Sequence, residues 1–363
     1  MAMALKVGII GASAGGGWAR DSHVPAVQGL EGLELVAVAT NGRESADASA
    51  RAFGVKGYAS GLELLRDPEV DLVSVCTRVP DHRDLVLAAL GAGKHVYCEW
   101  PLGRSVAEAE EMADAARAAG VRAAIGLQLR GSPAVRHARA LVDAGRIGRL
   151  LGASAQSTTA GFGPDVPAAF LYLEDPVNFA NLVTIQGAHT LDLALATVGG
   201  LADLSALATT QYPEIRAGDG GEPRRRVTFD HLLLQGRLSA GAALAVAVAG
   251  GRPASATPAR LDIVGDAGVL ALEGGAPRGV QSGRLRLTLD GAPQLVDEGE
   301  LAGLPDAVAN VGGVYAALRD DIRTGSGTVA DFDHAVALTR LVTDLLLSSE
   351  TRYRQEAAGW PSR

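Results

Sequence analysis

At 363 residues the chain is too long for one ordinary hydrophobic core and suits two domains. Hydrophobic residues, at 47%, can fill both cores, but aromatics are only 4%, so the packing must come from Ala, Leu and Val. The net charge of −8 argues against a dedicated nucleic-acid surface, which needs clustered Lys and Arg.

The opening residues run straight into an apolar strand at 5–10, without a basic segment, a signal-length apolar run or a cleavage site. No window approaches the apolar length of a membrane span, so a cytoplasmic protein with no membrane partner is expected. A glycine loop follows the strand, then a helix over 18–30 and a second strand at 33–40. Further strands are predicted at 70–77, 95–99 and 121–126. Helices separate them, and Ser105-Val-Ala-Glu108 is a capping-box signature opening the last of these. Continuous apolar strands alternating with helices predict a parallel sheet covered on both faces, a doubly wound Rossmann architecture over residues 1–126.

Residues 127–363 read differently. Strands at 151–159, 204–210, 230–238, 242–249, 259–264, 269–272 and 284–289 are joined by turn residues, which predicts a mostly antiparallel sheet domain. Helices are expected at 184–198, 311–323 and 330–349. The fold class is therefore α/β followed by α+β. Arg224-Arg225-Arg226, beside a Gly/Asp/Glu loop, reads as a solvated loop face. Cys76 and Cys98 lack a metal spacing and read as small buried thiols; no metal site is expected.

The loop after the first strand is Gly11-Ala12-Ser13-Ala-Gly15-Gly16-Gly17, in which Gly11 and Gly16 match the outer glycines of G-x-G-x-x-G. A tight turn and bare backbone let N–H groups approach a pyrophosphate, and the Ser13 hydroxyl can add a donor. After the second strand comes Thr40-Asn41-Gly42-Arg43, with no carboxylate for a ribose 2′-hydroxyl and a cation close behind. That pattern favours NADP over NAD, with NAD still possible; alternatively Arg43 points to solvent. Trp18, beside the loop, is either a core residue or a cofactor contact.

Further segments carry a family resemblance. They are Thr77-Arg-Val79-Pro80-Asp-His82, Gly93-Lys-His-Val-Tyr-Cys-Glu99-Trp100-Pro101, Gly126-Leu-Gln128-Leu-Arg130 and Gly187-Ala-His189-Thr-Leu-Asp192. Their order resembles the glucose–fructose oxidoreductase/inositol dehydrogenase/MocA family (Gfo/Idh/MocA) over essentially the whole chain. The resemblance implies hydride transfer between a nicotinamide dinucleotide and a small polar substrate, sugar-like or an imine. It also implies cofactor contacts from Gly11, Ala12, Ser13, Gly16, Trp18, Thr40, Asn41, Arg43, Thr77, Val79, Pro80, His82, Glu99, Trp100 and Gln128. His189, Trp100, Gln128 and Asp192 are the expected reaction-site residues.

The chain departs from the family pattern at two positions. The family's Glu-Lys-Pro lysine is Trp100, and the aspartate four residues before the histidine is Ile185. An indole N–H donates hydrogen bonds but does not ionise near neutral pH, so Trp100 cannot replace lysine as acid or base, and His189 alone remains. The same departures, with Gly17-Trp18-Ala19, His23-Val-Pro25 and Asp230-His231-Leu, are similar to the family's fungal galactose-pathway repressors. Those regulators bind a dinucleotide without turning it over. An oxidoreductase and a non-catalytic dinucleotide sensor both remain open, and the family habit of subunit contact through the second-domain sheet implies a homodimer or homotetramer. Asp192 either pairs within its helix or serves the site; Asp230-His231 either opens a strand or meets ligand. His82 either faces the cleft or steadies a helix start, and Phe170 and Tyr172 are candidates for a sugar-sized pocket.

Overall fold

The computed structural model describes residues 3–218, 220–357 and 359–360. It resolves into two compact units, Met1–Gly131 with Glu298–Val336, and Ser132–Asp297 with Ala337–Arg363.

In the first unit β1 (Leu5–Ile10), β2 (Leu33–Ala39), β3 (Lys56–Tyr58), β4 (Leu72–Val75), β5 (His95–Glu99) and β6 (Ala123–Gly126) form one sheet in the order β3-β2-β1-β4-β5-β6. Every pairing is parallel. Apolar runs such as the fully buried Leu72–Val75 suit strands covered on both faces. The connections run through α1 (Val24–Gly29), α2 (Arg43–Phe53), α3 (Gly61–Leu64), α4 (Val79–Gly91) and α5 (Val106–Ala119). The α5 cap is as the sequence predicts: Ser105 Oγ accepts from the Glu108 N–H at 3.2 Å.

The helix predicted over 18–30 is not uniform. Ala19–His23 is wound wide, the Val24 N–H reaching back to Ala19 O, before α1 tightens at Pro25. Such π-turns are frequent at functional sites. Hydrophobic periodicity does not distinguish them from ordinary helix.

The second unit contains α6 (Pro133–Asp143), α7 (Ala188–Val198) and a large sheet. Its strands are β7 (Leu150–Thr158), β9 (Leu201–Thr209), β12 (His231–Leu238), β13 (Ala243–Ala249), β14 (Ala259–Gly265), β15 (Val269–Gly274), β16 (Arg286–Leu289), β17 (Ala292–Pro293) and β18 (Gln355–Glu356). They are ordered β17-β16-β15-β14-β7-β13-β12-β9-β18, and all pairings but β13·β7 are antiparallel. A small separate sheet joins β8 (Asp165–Val166), β10 (Glu214–Ala217) and β11 (Pro223–Arg225). In β12 and β13 every second residue is buried except the half-buried Gly236, the alternation of a sheet packed on one face.

The sequence reading assigns all of 127–363 to the second domain, and the packing corrects this. α8 (Asp306–Thr324) places Val308, Val311, Val314, Tyr315 and Leu318 in the same core as Val7, Val27 and Leu35. These residues recur at helical spacing, so they define one apolar face, but periodicity does not say which sheet that face covers. The boundary falls inside α9 (Phe332–Thr351).

Close approach fixes α8 at one point: a Cβ on Gly313 would lie 2.4 Å from Gly131 O. Gly131 ends the turn that carries Gln128. Gly313→Ala is therefore expected to cost about 1–3 kcal/mol through overpacking. Gly312→Ala, whose Cβ would meet only flexible leucine ends, the nearest on Leu301 at 3.1 Å, should be close to neutral. Urea unfolding of the two variants checks the contrast.

Candidate cofactor and active site

The strand order reverses between β1 and β4, and the glycine loop and Thr77 follow those two strands. The crevice at such a switch point is where doubly wound sheets bind ligands. Gly11 has φ +97°, and a Cβ there would sit 2.4 Å from Cys76 O, so the turn itself demands glycine. Gly16 and Gly17 have φ +135° and +114°. Gly15 meets only Ser13 Oγ, at 3.5 Å, and Gly17 meets nothing, so the loop is a bare backbone cradle.

The Ala14 N–H donates to Ser49 Oγ of α2 at 2.9 Å, pinning the loop, and the Gly15 N–H donates to Ser13 Oγ at 3.2 Å. The N–H groups of Ala12 and Ser13 carry no hydrogen bond among the described residues. Thr77 Oγ1, Trp18 Nε1 and Gln128 Oε1 are buried and unpartnered among the described residues. Unmet donors and acceptors around a bare cradle fit a polar ligand with phosphates and an amide. The Trp18 ring packs on the core cluster, and its indole N–H has no acceptor among the described residues.

At the end of β5, Glu99 is gripped from two sides. Gln128 Nε2 donates to Oε1 and Oε2 at 2.9 and 3.0 Å, and His23 Nε2 lies 3.1 Å from Oε1. His23 Nδ1 lies 2.9 Å from the Tyr315 hydroxyl, which lies 2.6 Å from Ser74 Oγ. The network is consistent when Nε2–H donates to the carboxylate and Tyr315 O–H donates to Nδ1. Glu99 thus has a fixed orientation with lone pairs left for ligand hydroxyls. Sequence reasoning did not place His23, Tyr315 or Ser74 in the site; Tyr315 lies 292 residues from His23 and 241 from Ser74, and periodicity does not show that α8 packs against them.

Trp100 is 5% exposed and sits directly after Glu99. His82 is buried, with Nδ1 2.9 Å from Pro101 O and Nε2 3.2 Å from Thr77 O, and burial lowers its pKa. A neutral ring donates to only one of these carbonyls, and both of its nitrogens face backbone oxygens of the loops after β4 and β5. Val79 and Pro80 open α4, with proline in the first turn where no N–H is needed. Thr40 Oγ1 lies 3.5 Å from Gly42 O, and Asn41 is exposed.

Arg43 does not simply point to solvent. Its guanidinium donates to Gly57 O at 3.3 Å and lies 3.6 and 3.7 Å from carboxylates of Asp47 and Glu63, with the side chain 61% exposed.

In the second unit, His189 and Asp192 share α7 and are 5% and 2% exposed. The helix is entered through a second π-turn, Val183–Gly187, in which the Gly187 N–H reaches Leu182 O at 2.9 Å. Phe170 is exposed and Tyr172 half-buried in the short helical turn Ala168–Glu174.

The reading of Arg224-Arg225-Arg226 as a solvated face holds for the first two only. Arg226 is buried. Its five N–H donors reach Glu174 Oε1 (2.8 Å) and Oε2 (3.0 Å), Asp230 Oδ2 (2.9 Å), Phe162 O (2.9 Å) and Gly163 O (2.8 Å). Burial pushes the Asp230 carboxyl up. The Gln211 N–H, His231, the Tyr212 N–H and Arg226 outweigh that and hold it below the usual range. Asp230 therefore holds a loop together rather than only opening a strand.

The parallel sheet and its glycine cradle define a dinucleotide-binding Rossmann domain joined to an antiparallel-sheet domain. Residues 5–127 match the NAD-binding Rossmann-fold model of the Gfo/Idh/MocA oxidoreductase family, and residues 133–274 match the Gal80p C-terminal domain. The chain thus joins a Rossmann domain of the Gfo/Idh/MocA type to a second domain of the Gal80p type.

Dehydrogenase aclE of Aspergillus oryzae is 36% identical over 187 residues, and the match spans 51% of each chain, about half the length of that relative. The galactose/lactose metabolism regulatory protein GAL80 of Saccharomyces cerevisiae is 28% identical over 292 residues, 75% of this chain and 67% of that one. A super-repressor mutant of Gal80p superposes with a TM-score of 0.84 at 23% identity, over 98% of both chains. Levoglucosan dehydrogenase in complex with NADH and L-sorbose superposes at 0.81, with 19% identity over 99% of both. Among the described residues no helix is long and apolar enough to cross a membrane, and no cluster of His, Cys, Asp or Glu could hold a metal.

Proposed function

We propose that the protein is an oxidoreductase that transfers hydride between a nicotinamide dinucleotide and a small polar substrate, sugar-like or an imine. The observation that carries this reading is the bare glycine cradle at the switch point, with unpartnered Thr77 Oγ1 and Gln128 Oε1 on the same unit. When bound, the dinucleotide supplies or accepts the hydride. Ala12 and Ser13 hold its phosphates through N–H groups, Gln128 accepts an amide or hydroxyl donor, and Glu99 accepts ligand hydroxyls. Trp100 supplies an apolar wall in place of the family lysine. His189 holds or delivers the proton at the substrate heteroatom; an imine needs less from it, since it can arrive protonated.

NADP(H) is proposed over NAD(H), because Thr40-Asn41-Gly42 lacks a carboxylate and Arg43 is held only by exposed, long contacts. Titrating both cofactors by calorimetry tests this: NADP(H) should bind more tightly, and equal affinities would remove the preference. A homo-oligomer is also proposed, through the outer sheet face where Leu207, Leu233, Ala243 and Ala245 are exposed.

A sensor reading is favoured by one observation, the absence of the family's lysine and aspartate at Trp100 and Ile185. A nicotinamide-absorbance screen against sugars, ketones and imines, run beside a pull-down, separates the two. Turnover supports the enzyme; cofactor-dependent capture of a protein with no turnover supports the sensor.

A further inference from the structure

We propose that Arg20, which no sequence motif marks, is a cation for the pyrophosphate of the dinucleotide; this rests on the cofactor reading above. The guanidinium lies across Gly16, with Nη1, Cζ and Nη2 at 3.8, 3.9 and 3.9 Å from where a Cβ on that glycine would be. Nη1 donates to Ala14 O at 3.3 Å, a long bond to the crest of the same loop. Nε donates to Asp21 Oδ1 at 2.8 Å and Nη2 lies 2.8 Å from the same oxygen, which orients the group without burying it; the side chain is 43% exposed.

Three arguments converge on this residue. Gly11–Gly17 contains no charged residue, so the loop offers a phosphate only backbone dipoles and a hydroxyl. A pyrophosphate carries two negative charges, and a planar fork of N–H donors suits its oxygens. A cation in the first turn of the unbroken helical run 19–29 also opposes the helix dipole, so helix electrostatics alone give no reason for it. The third argument concerns Gly16: the guanidinium lies at ordinary contact distance over that glycine, so the cation already sits on the loop that would face the phosphates. On binding, Nη1 exchanges the long Ala14 bond for phosphate oxygens while Asp21 keeps the fork oriented. Arg20 acts in binding and positioning and does not touch the reacting atoms.

The test is calorimetric titration of wild type, Arg20→Gln and Arg20→Lys with NADP(H), NAD(H) and ADP-ribose at two salt concentrations. Arg20→Gln should weaken all three by the same factor, about 10- to 100-fold. It should also flatten the salt dependence and leave the circular-dichroism spectrum unchanged, and Arg20→Lys should recover part of the loss. Arg20→Gln matching wild type overturns this inference alone. A loss confined to NADP(H) overturns it too, since the contact would then be the 2′-phosphate. A wild type that binds none of the three ligands removes the cofactor reading itself.

Discussion

Arg226→Met is expected to destabilise the second unit by about 3–5 kcal/mol, because it leaves two buried carboxylates without their cation. Glu174 and Asp230 are 7% and 0% exposed, so water cannot replace the guanidinium without opening the loop. The melting temperature should fall by roughly 6–20 °C, and hydrogen exchange should rise first in 160–178. Adding Glu174→Gln should restore part of the loss, because one of the stranded charges is then removed. An unchanged melting temperature in the single variant would mean that the network contributes nothing.

The same network gives an acid limb of known sign. The Asp230 carboxyl is held below its ordinary value in the folded chain, so the unfolded chain binds protons first as pH falls. Its stabilising contribution is full above the unfolded carboxyl value, about pH 4, and is lost as pH drops through the lowered folded value. Asp230→Asn should be less stable at neutral pH and show a shallower loss of stability in acid.

His189→Ala is expected to lower hydride transfer by about 10²–10⁴-fold while cofactor affinity stays nearly unchanged. Imidazole exchanges a proton near neutral pH, and neither the Trp100 indole nor the Ile185 side chain can do so. His189→Gln separates the two possible roles, since an amide keeps a hydrogen bond but carries no proton. Trp100→Lys restores the family residue and should raise a weak activity on a sugar substrate. Absorbance of the reduced nicotinamide reads all three variants, with cofactor binding measured for each. If His189→Ala turns over as wild type does, the proton is handled elsewhere.

Local pattern determined much of this protein. The apolar runs of β1, β2, β4 and β5, the Ser105 cap and the glycines before α1 are each set by neighbours in the chain. So are the alternating strands from β12 to β15. Hydrophobic period, turn chemistry and capping act over a few residues, and they sufficed for both sheets and for the glycine turn at Gly11; Glu99 and Gln128 are marked only by the family resemblance. What the tertiary structure decided was pairing over distance. α8 carries a plain amphipathic face, and only packing assigned it to the first unit, where Tyr315 meets His23 across 292 positions. Arg226 stands in a basic triplet, and only the folded loop buries it between Asp230, four residues on, and Glu174, 52 residues back. His82 follows a strand as a ligand residue would, yet two carbonyls from separate loops claim its ring. In each case the side chain's chemistry is legible in the sequence, but its partner is fixed by tertiary contacts that no local period encodes.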